Sequence, residues 1–117
     1  MKITIYHNPR CGKSRQTLAL LEARGIHPQI IEYLKTPPDA ATLKQLLKKL
    51  GLRPRELLRS KETAYREAGL DDPGLGDDAV IQAMLDHPIL IERPIVVAGN
   101  KAALGRPPEN VLAILPA

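Results

Sequence analysis

The feature that most constrains the fold is a strand, a helix and a second strand that follow one another at the start of the chain. Residues 2–7 are rich in β-branched and aromatic side chains, which is typical of a strand, and the turn signal Asn8-Pro9 comes directly after them. A helix is predicted over 14–24, and Gly25 is a natural residue to end it. The apolar segment 29–34 predicts the second strand. This order is a βαβ unit, with parallel strands and a right-handed crossover.

The remainder of the chain predicts a block of helices, then a hairpin and a last helix. The predicted helices lie at 39–50, 54–59, 64–68, 77–86 and 109–115, and the predicted strands lie at 95–97 and 102–104, joined by a tight turn at Gly99-Asn100. Segment 38–87 carries no strand signal, so we interpret it as a helical insertion after the second strand. The order of elements is that of a thioredoxin-like (glutaredoxin-like) α/β fold with a mixed sheet.

Length and composition predict one small domain. The 117 residues are enough for one hydrophobic core and too few for two, so 1–117 is predicted to form a single domain. The core must be aliphatic, because aromatic residues make up 3% of the sequence and both Trp and Phe are absent. No long apolar edge or heptad stripe is visible, so we expect a monomer.

Net charge and cysteine content indicate which classes of partner and which cellular compartment to expect. The net charge of +4 favours anionic partners, but the charges are interspersed and few aromatic side chains could stack on bases, so nucleic acid is not expected. The N-terminus does not resemble a signal peptide, and no apolar run approaches the roughly 20 residues of a transmembrane helix. A single cysteine cannot form an intramolecular disulfide, so we expect a protein of the reducing cytoplasm.

The cysteine lies in the loop that joins the first predicted strand to the first predicted helix. Cys11 therefore stands at a helix N-terminus, where free backbone N–H groups and the positive end of the dipole favour a thiolate. Arg10, Lys13 and Arg15 add positive charge nearby. Such settings lower a cysteine pKa from about 8.5 into the range of roughly 3.5 to 7.5, and the same N–H groups can hold an oxyanion. The loop thus predicts one site for a nucleophile and a tetrahedral anion.

The residues around the cysteine exclude three other cysteine chemistries. A C-x-x-C dithiol centre is excluded because Ser14 occupies the second cysteine position. A phosphatase-type loop would need an arginine where Thr17 stands. No metal site is predicted, because the histidines are isolated from one another and one cysteine is too few for a closed zinc site. A monothiol glutaredoxin-like centre and a thiolate that attacks an oxyanion both remain open.

Several separated segments share the pattern of one enzyme family. The loop reads His7-Asn8-Pro9-x-Cys11-Gly12-x-Ser14-Arg15. The later segments are Tyr33-Leu34-x-Thr36-Pro37-Pro38, Leu57-Leu58-Arg59, His87-Pro88-Ile89-Leu90-Ile91-x-Arg93-Pro94-Ile95-Val96-Val97 and Gly105-Arg106-Pro107. In this order they resemble the glutaredoxin-coupled arsenate reductases over essentially the whole chain.

The resemblance implies an activity and a set of site residues. Cys11 would attack arsenate, His7 would support the thiolate electrostatically, and Ser14 would hydrogen-bond it. The oxyanion site would be completed by three arginines, Arg59, Arg93 and Arg106. Support for the loop would come from Asn8, Gly12, Arg15 and Pro94, the last as a cis-proline that faces the cysteine.

The resemblance also implies the reaction partners. No cofactor would be bound; glutathione would be a co-substrate and glutaredoxin a protein partner in arsenic detoxification. A resolving cysteine within the chain is absent, so the electrons would come from outside.

Two other functions remain open. The chain ends soon after the last helix, and Arg10 and Lys13 are both basic, which resembles a short-tailed branch of the family. For that branch the natural substrate stays open between arsenate, another oxyanion and a mixed disulfide with glutathione. A glutathione-linked thiol–disulfide oxidoreductase is therefore the first alternative. The second is a non-catalytic regulator that resembles the Spx type, which binds RNA polymerase; that type usually carries a C-x-x-C switch, which Ser14 removes.

Overall fold

The computed structural model describes residues 2–116, which divide into two compact units. We call residues 2–36 and 93–116 the sheet unit, and residues 37–92 the helical unit. The sheet unit contains the βαβ segment and the hairpin, and the helical unit contains the segment interpreted as an insertion. Within residues 2–116, none of the helices combines the length and the apolar character that crossing a bilayer requires.

Within the described residues, the sheet unit is built on a mixed sheet of four strands. They are β1 (Ile3–Tyr6), β2 (Gln29–Ile31), β3 (Ile95–Ala98) and β4 (Lys101–Leu104), in the spatial order β2-β1-β3-β4. β1 and β2 run parallel, and the other two pairs are antiparallel. The parallel βαβ pairing and the β3–β4 hairpin predicted from the sequence are confirmed.

The second strand is shorter than its sequence indicates. The prediction of a strand as far as Leu34 is wrong, because pairing with β1 stops at Ile31. The backbone N–H groups of Lys35 and Thr36 both donate to the carbonyl oxygen of Glu32, at 2.9 and 3.0 Å, and close a turn there. A carbonyl that accepts these local bonds belongs to a turn. Tyr33 in this turn is buried, so its aromatic side chain serves packing instead of a longer strand.

The helix that follows β1 carries polar side chains on its buried face. This helix, α1 (Gly12–Ala23), begins slightly earlier than predicted and ends as predicted, with Gly25 in the left-handed region at a φ of 75°. Its buried residues are Ser14, Thr17 and Leu21. The two polar ones lie toward the N-terminal end, next to the cysteine loop, so this part of the helix serves the loop as well as the core.

The main core cluster of the sheet unit is aliphatic, as the composition predicts, and Tyr33 is a buried aromatic side chain outside this cluster. Its buried members are Ile3, Ile5, Leu21, Val96, Ala98 and Val111. Each fully buried large aliphatic side chain contributes about 1.5–3 kcal/mol. Val111 comes from a 3₁₀ helix, Pro108–Ile114, which replaces the last helix predicted at 109–115. This core ties α1 to β1 and β3, and so fixes the elements that carry the cysteine loop.

The helical unit follows the predicted pattern closely. Its elements are α2 (Ala40–Leu50), a 3₁₀ helix at Pro54–Leu57, α3 (Thr63–Glu67), α4 (Asp77–Asp86) and a 3₁₀ helix at Pro88–Leu90. The Asp39 carboxylate accepts the N–H of Thr42 at 2.8 Å and caps α2, which ends at Gly51 with a φ of 70°. An isolated antiparallel bridge joins Leu58 to Ile91.

Candidate active site

Hydrogen bonds of Asn8 hold the loop between β1 and α1. The backbone N–H of this buried residue donates to Ser14 Oγ at 3.1 Å, and its carbonyl oxygen accepts the Cys11 N–H at 2.9 Å. Its side-chain Oδ1 accepts the N–H of Arg10 at 3.0 Å. Asn8 is therefore bonded to residues on both sides of the cysteine and presents the thiol at the start of α1.

The thiol of Cys11 meets two backbone donors of the first helical turn. Cys11 is the N-cap residue of α1, with extended backbone, and is partly buried. Burial raises the pKa of Cys11, but the backbone N–H of Ser14, the Arg93 side chain and the backbone N–H of Lys13 each donate a hydrogen bond to the sulfur. These donors outweigh burial, so the pKa lies below its ordinary value. These surroundings therefore make Cys11 a stronger acid than a free cysteine.

Two arginines approach the sulfur from the β3 side of the sheet unit. Arg93 is buried, donates a hydrogen bond to the sulfur, and precedes β3 through a cis peptide bond to Pro94. Arg106 follows β4; its Nη1 lies 3.9 Å from Cys11 Sγ and donates to the Arg93 carbonyl oxygen at 3.2 Å. Guanidinium groups match the geometry of tetrahedral oxyanions, so this arrangement suits an anion in contact with the sulfur.

Ser14 acts on the sulfur through its backbone. The side chain is fully buried, and its Oγ accepts the Asn8 N–H, while the N–H of Ser14 itself donates to Cys11. The resemblance implies that Ser14 hydrogen-bonds the thiolate. The bond to sulfur that the structure shows comes from the Ser14 peptide N–H, whereas the hydroxyl oxygen holds the loop through Asn8.

Arg15 and Gly12 differ in how much they contribute to the structure of the cysteine loop. Arg15 Nη1 donates to the Pro9 carbonyl oxygen at 3.0 Å and closes the outer side of the loop. A Cβ at Gly12 would lie 3.8 Å from Arg15 Nη2, an ordinary contact, so the local packing leaves space for a small side chain there. Of these two, Arg15 is the one with a visible structural contribution.

His7 lies at the end of β1 with its side chain 6% exposed. Among the described residues, its Nδ1 has no hydrogen-bond partner. Burial lowers the pKa of His7; the Glu32 carboxylate opposes this, and the Arg15 charge adds to it. The neutral imidazole therefore dominates at neutral pH, and the positive charge at the sulfur comes from the arginines. A cavity of about 200 Å³ beside His7 is also lined by Asn8, Pro9, Arg10, Glu32, Leu34 and Lys35.

Arg59 lies in the helical unit, where two carboxylates hold it. Its Nε donates to Glu62 at 3.1 Å and its Nη1 to Glu92 at 2.5 Å. Burial lowers the pKa of Arg59, but the two carboxylates outweigh it and raise the pKa above its ordinary value. The backbone N–H of Arg59 donates to the Leu90 carbonyl oxygen at 2.8 Å, which fixes this residue beside the 3₁₀ helix Pro88–Leu90.

The sequence interpretation missed both carboxylates that hold Arg59. Glu62 stands three positions after the arginine, a spacing that pairs charges in a helical turn and could have been noticed. Glu92 is distant in sequence and gives no local signal. Among residues 2–116, no group of three or more His, Cys, Asp or Glu side chains is arranged to hold a metal ion.

Comparison with known proteins identifies the family. The model of the ArsC family matches residues 6–114. Escherichia coli K12 protein YfgD is 57% identical over 97% of this chain and 97% of its own length. A Neisseria meningitidis arsenate reductase is 54% identical over 97% of this chain and 98% of its own length. The solved structure of an arsenate reductase from Vibrio cholerae has a TM-score of 0.95, with 56% identity and 98% of each chain covered.

The structural match confirms the thioredoxin-like α/β fold class predicted from the sequence. The family model covers most of the chain, and the relatives are more than half identical over nearly all of it. The chain therefore belongs to the ArsC family.

Proposed function

We propose that this protein reduces arsenate to arsenite, with Cys11 as the nucleophile and glutathione and glutaredoxin as the source of electrons. The observation that carries the proposal is the setting of Cys11, whose lowered pKa comes with a hydrogen bond from Arg93 and with Arg106 3.9 Å from the sulfur. A thiolate next to two guanidinium groups suits attack on an anion that carries tetrahedral oxygens. The names of the similar Neisseria and Vibrio proteins support arsenate as that anion.

The first step forms a bond between sulfur and arsenic. The Cys11 thiolate attacks As(V), and one arsenate oxygen takes up protons from solvent and leaves as water. Arg93 and Arg106 donate hydrogen bonds to the remaining oxygens and stabilise the charge that develops on them. Each charge-assisted hydrogen bond contributes about 1.5–3 kcal/mol. Arg59 is the third arginine that the family resemblance assigns to the anion.

The later steps transfer two electrons from thiols outside the chain. Glutathione replaces a second oxygen, which leaves as water, and becomes bonded to arsenic through sulfur. The glutaredoxin thiolate then attacks the glutathione sulfur; the As–S bond breaks with its electron pair on arsenic, which becomes As(III). Hydrolysis of the remaining bond releases arsenite and regenerates the Cys11 thiolate. A second glutathione reduces the glutaredoxin mixed disulfide, so two glutathiones become one disulfide. The sequence holds a single cysteine, which fits an external reductant.

We also propose that the protein is cytoplasmic, because a single thiol that must stay reduced suits that compartment. We propose a monomer, because no long apolar edge or heptad stripe is visible in the sequence.

The test is arsenate-dependent NADPH oxidation in the presence of glutathione, glutathione reductase and glutaredoxin. We expect turnover by the wild type, none above background for Cys11→Ser, and a loss of at least tenfold in kcat/KM for Arg93→Ala. The matched control is Arg24→Ala, which removes an exposed arginine from the opposite end of α1 and should keep full activity. Absence of arsenate turnover in a wild type with a reactive Cys11 would refute the proposal.

The second candidate function is glutathione-linked thiol–disulfide exchange on another substrate. The observation that favours it is the binding of Arg59 by Glu62 and Glu92, because these carboxylates compete with an oxyanion for the same guanidinium. This reaction would use Cys11 against a mixed disulfide and would tolerate the loss of Arg59 and Arg106. Turnover of a glutathionylated peptide by Arg106→Ala at the wild-type rate, without arsenate turnover, would favour it.

A further inference from the structure

Gly105 lies between β4 and Arg106 at a point where the fold leaves no space for a side chain. A Cβ at this buried residue would lie 2.7 Å from Pro94 Cγ and 3.0 Å from Thr17 Cγ2, and it would also overlap Thr17 Oγ1. Carbon atoms in contact are about 3.5–4.0 Å apart, so these separations are strongly repulsive. Glycine is therefore needed here for the close approach of α1, β4 and the segment before β3.

Thr17 is the α1 side chain that fills this contact. It is fully buried, and its Oγ1 donates to the Lys13 carbonyl oxygen at 2.8 Å. The same oxygen lies 3.5 Å from the Gly105 carbonyl oxygen. Lys13 belongs to the helical turn whose N–H groups bond the Cys11 sulfur. Thr17 thus separates the turn that holds the sulfur from the chain that carries Arg106.

The chain at Gly105 is also bonded to the segment that carries Arg93. The Gly105 N–H donates to the Pro94 carbonyl oxygen at 3.0 Å, and Arg106 Nη1 donates to the Arg93 carbonyl oxygen at 3.2 Å. The backbone is therefore fixed at Gly105, between Thr17 and Pro94, and the next residue is Arg106, whose guanidinium approaches the sulfur. A shift of Gly105 moves Arg106 with it.

We propose that Thr17 and Gly105 are positioning residues that set the distance between the Cys11 sulfur and the Arg106 guanidinium, and thereby the affinity of the site for an oxyanion. The identity of the oxyanion rests on the proposed function, whereas the distance itself does not. Attraction between charges falls with separation, and a guanidinium donates well to an anion only from a narrow range of positions. The contact between Thr17 and Gly105 can therefore control how strongly the site binds an oxyanion, although neither residue touches the anion.

The test compares alkylation of Cys11 by anionic iodoacetate and by neutral iodoacetamide. The ratio of the two rates measures the positive field at the sulfur and needs no arsenate. We expect Arg106→Ala to lower the ratio about fivefold, the factor that one charge at about 4 Å produces in bulk water. Gly105→Ala should lower it by a similar factor, and the double variant Gly105→Ala/Arg106→Ala should be no lower than either single variant.

Compensation distinguishes positioning from general damage to the fold. Thr17→Ala removes two of the atoms that a Cβ at Gly105 would meet, so Thr17→Ala/Gly105→Ala should recover part of the lost ratio, whereas independent structural damage would add. If Gly105→Ala does not fold, Thr17→Val provides the test, because a methyl group cannot lie 2.8 Å from the Lys13 carbonyl oxygen. We expect Thr17→Val to lower the ratio and Thr17→Ser, which keeps the hydroxyl, to stay near the wild type.

The outcomes separate this inference from the proposed function. An unchanged ratio in folded Gly105→Ala, or in folded Thr17→Val, would overturn the inference, and so would a loss that adds to that of Arg106→Ala. A wild type that shows the expected ratios but does not turn over arsenate would leave the positioning role supported and refute the arsenate reaction alone.

Discussion

At the scale of single residues, the lowered pKa of Cys11 results from opposed effects. Burial raises the pKa, and three donors together lower it by more. Two of these donors are backbone N–H groups, which no substitution other than proline removes. The third is the Arg93 side chain, which contributes both a hydrogen bond and a charge. Substitution of Arg93 is therefore the way to test what lowers the pKa of Cys11.

Replacing Arg93 should make Cys11 a weaker acid. Burial raises the pKa of Cys11, and the hydrogen bond and charge of Arg93 lower it. The Arg93→Ala variant should therefore have a higher Cys11 pKa than the wild type. The pH dependence of alkylation by iodoacetamide measures this pKa. Its midpoint should move to higher pH in Arg93→Ala and stay in place in Arg24→Ala. Equal midpoints in all three proteins would contradict the role of Arg93 at the sulfur.

Burial of His7 should make stability depend on pH. The pKa of His7 in the folded protein lies below its ordinary value of 6.5, so the unfolded chain binds the proton more tightly. Stability from this residue is fully present above about pH 6.5 and is lost as the pH falls below it. Urea unfolding of the wild type should show a smaller free energy at pH 5.5 than at pH 7.5, and His7→Gln should reduce this difference.

The exposed His27 provides the matched control for that measurement. His27→Gln should leave the pH dependence of stability as it is in the wild type. The account of His7 would be wrong if His7→Gln and His27→Gln changed it equally.

At the scale of elements, the sequence predicts those features that depend on local patterns. Hydrophobic spacing and Gly51 indicate α2, and the β-branched run before the Gly99-Asn100 turn indicates the hairpin. The length of β2 was not predictable in this way, because it depends on where the local turn at Glu32 replaces pairing with β1. Glu92, one of the two partners of Arg59, was missed for a related reason, since tertiary structure brings it there, whereas Glu62 has a local spacing that could have been noticed.

The site shows the same division between local and long-range features. The position of Cys11 at a helix N-terminus follows from the strand–loop–helix pattern, which is local. The close approach of Gly105 to Thr17 and Pro94 joins three distant segments and has no signature in any one of them. Motifs therefore pointed to the candidate nucleophile, while the long-range contacts around it required the structure.

The end of α2 depends on one glycine. Gly51 has a φ of 70° with nothing near its missing Cβ, so an alanine there meets no neighbour and experiences backbone strain alone. Gly51→Ala should destabilise the protein by about 1–2 kcal/mol, the cost of the left-handed conformation for a residue with a side chain. Gly51→Asn is the matched control, because asparagine tolerates the left-handed region better than alanine does and should lose less stability. Equal losses in urea unfolding would contradict this explanation.

At the scale of the whole molecule, the positive charge of the chain should assist the capture of an anion. The net charge is +4, and two arginines lie at the sulfur. Salt screens such attraction, with a Debye length of about 10 Å at 0.1 M. Alkylation of Cys11 by iodoacetate should therefore slow as salt is raised, while alkylation by neutral iodoacetamide should change little. A parallel change in both rates would argue against an electrostatic contribution.

The most direct measurement of the central claim is the amount of arsenite formed from arsenate by the wild type and by Cys11→Ser, with glutathione and with glutaredoxin present or omitted. We predict that the wild type forms arsenite over many turnovers only when both thiol partners are present, and that Cys11→Ser forms none above background. No arsenite from the wild type under the complete conditions, while its Cys11 still reduces a glutathionylated peptide, would contradict the account and favour the thiol–disulfide reaction.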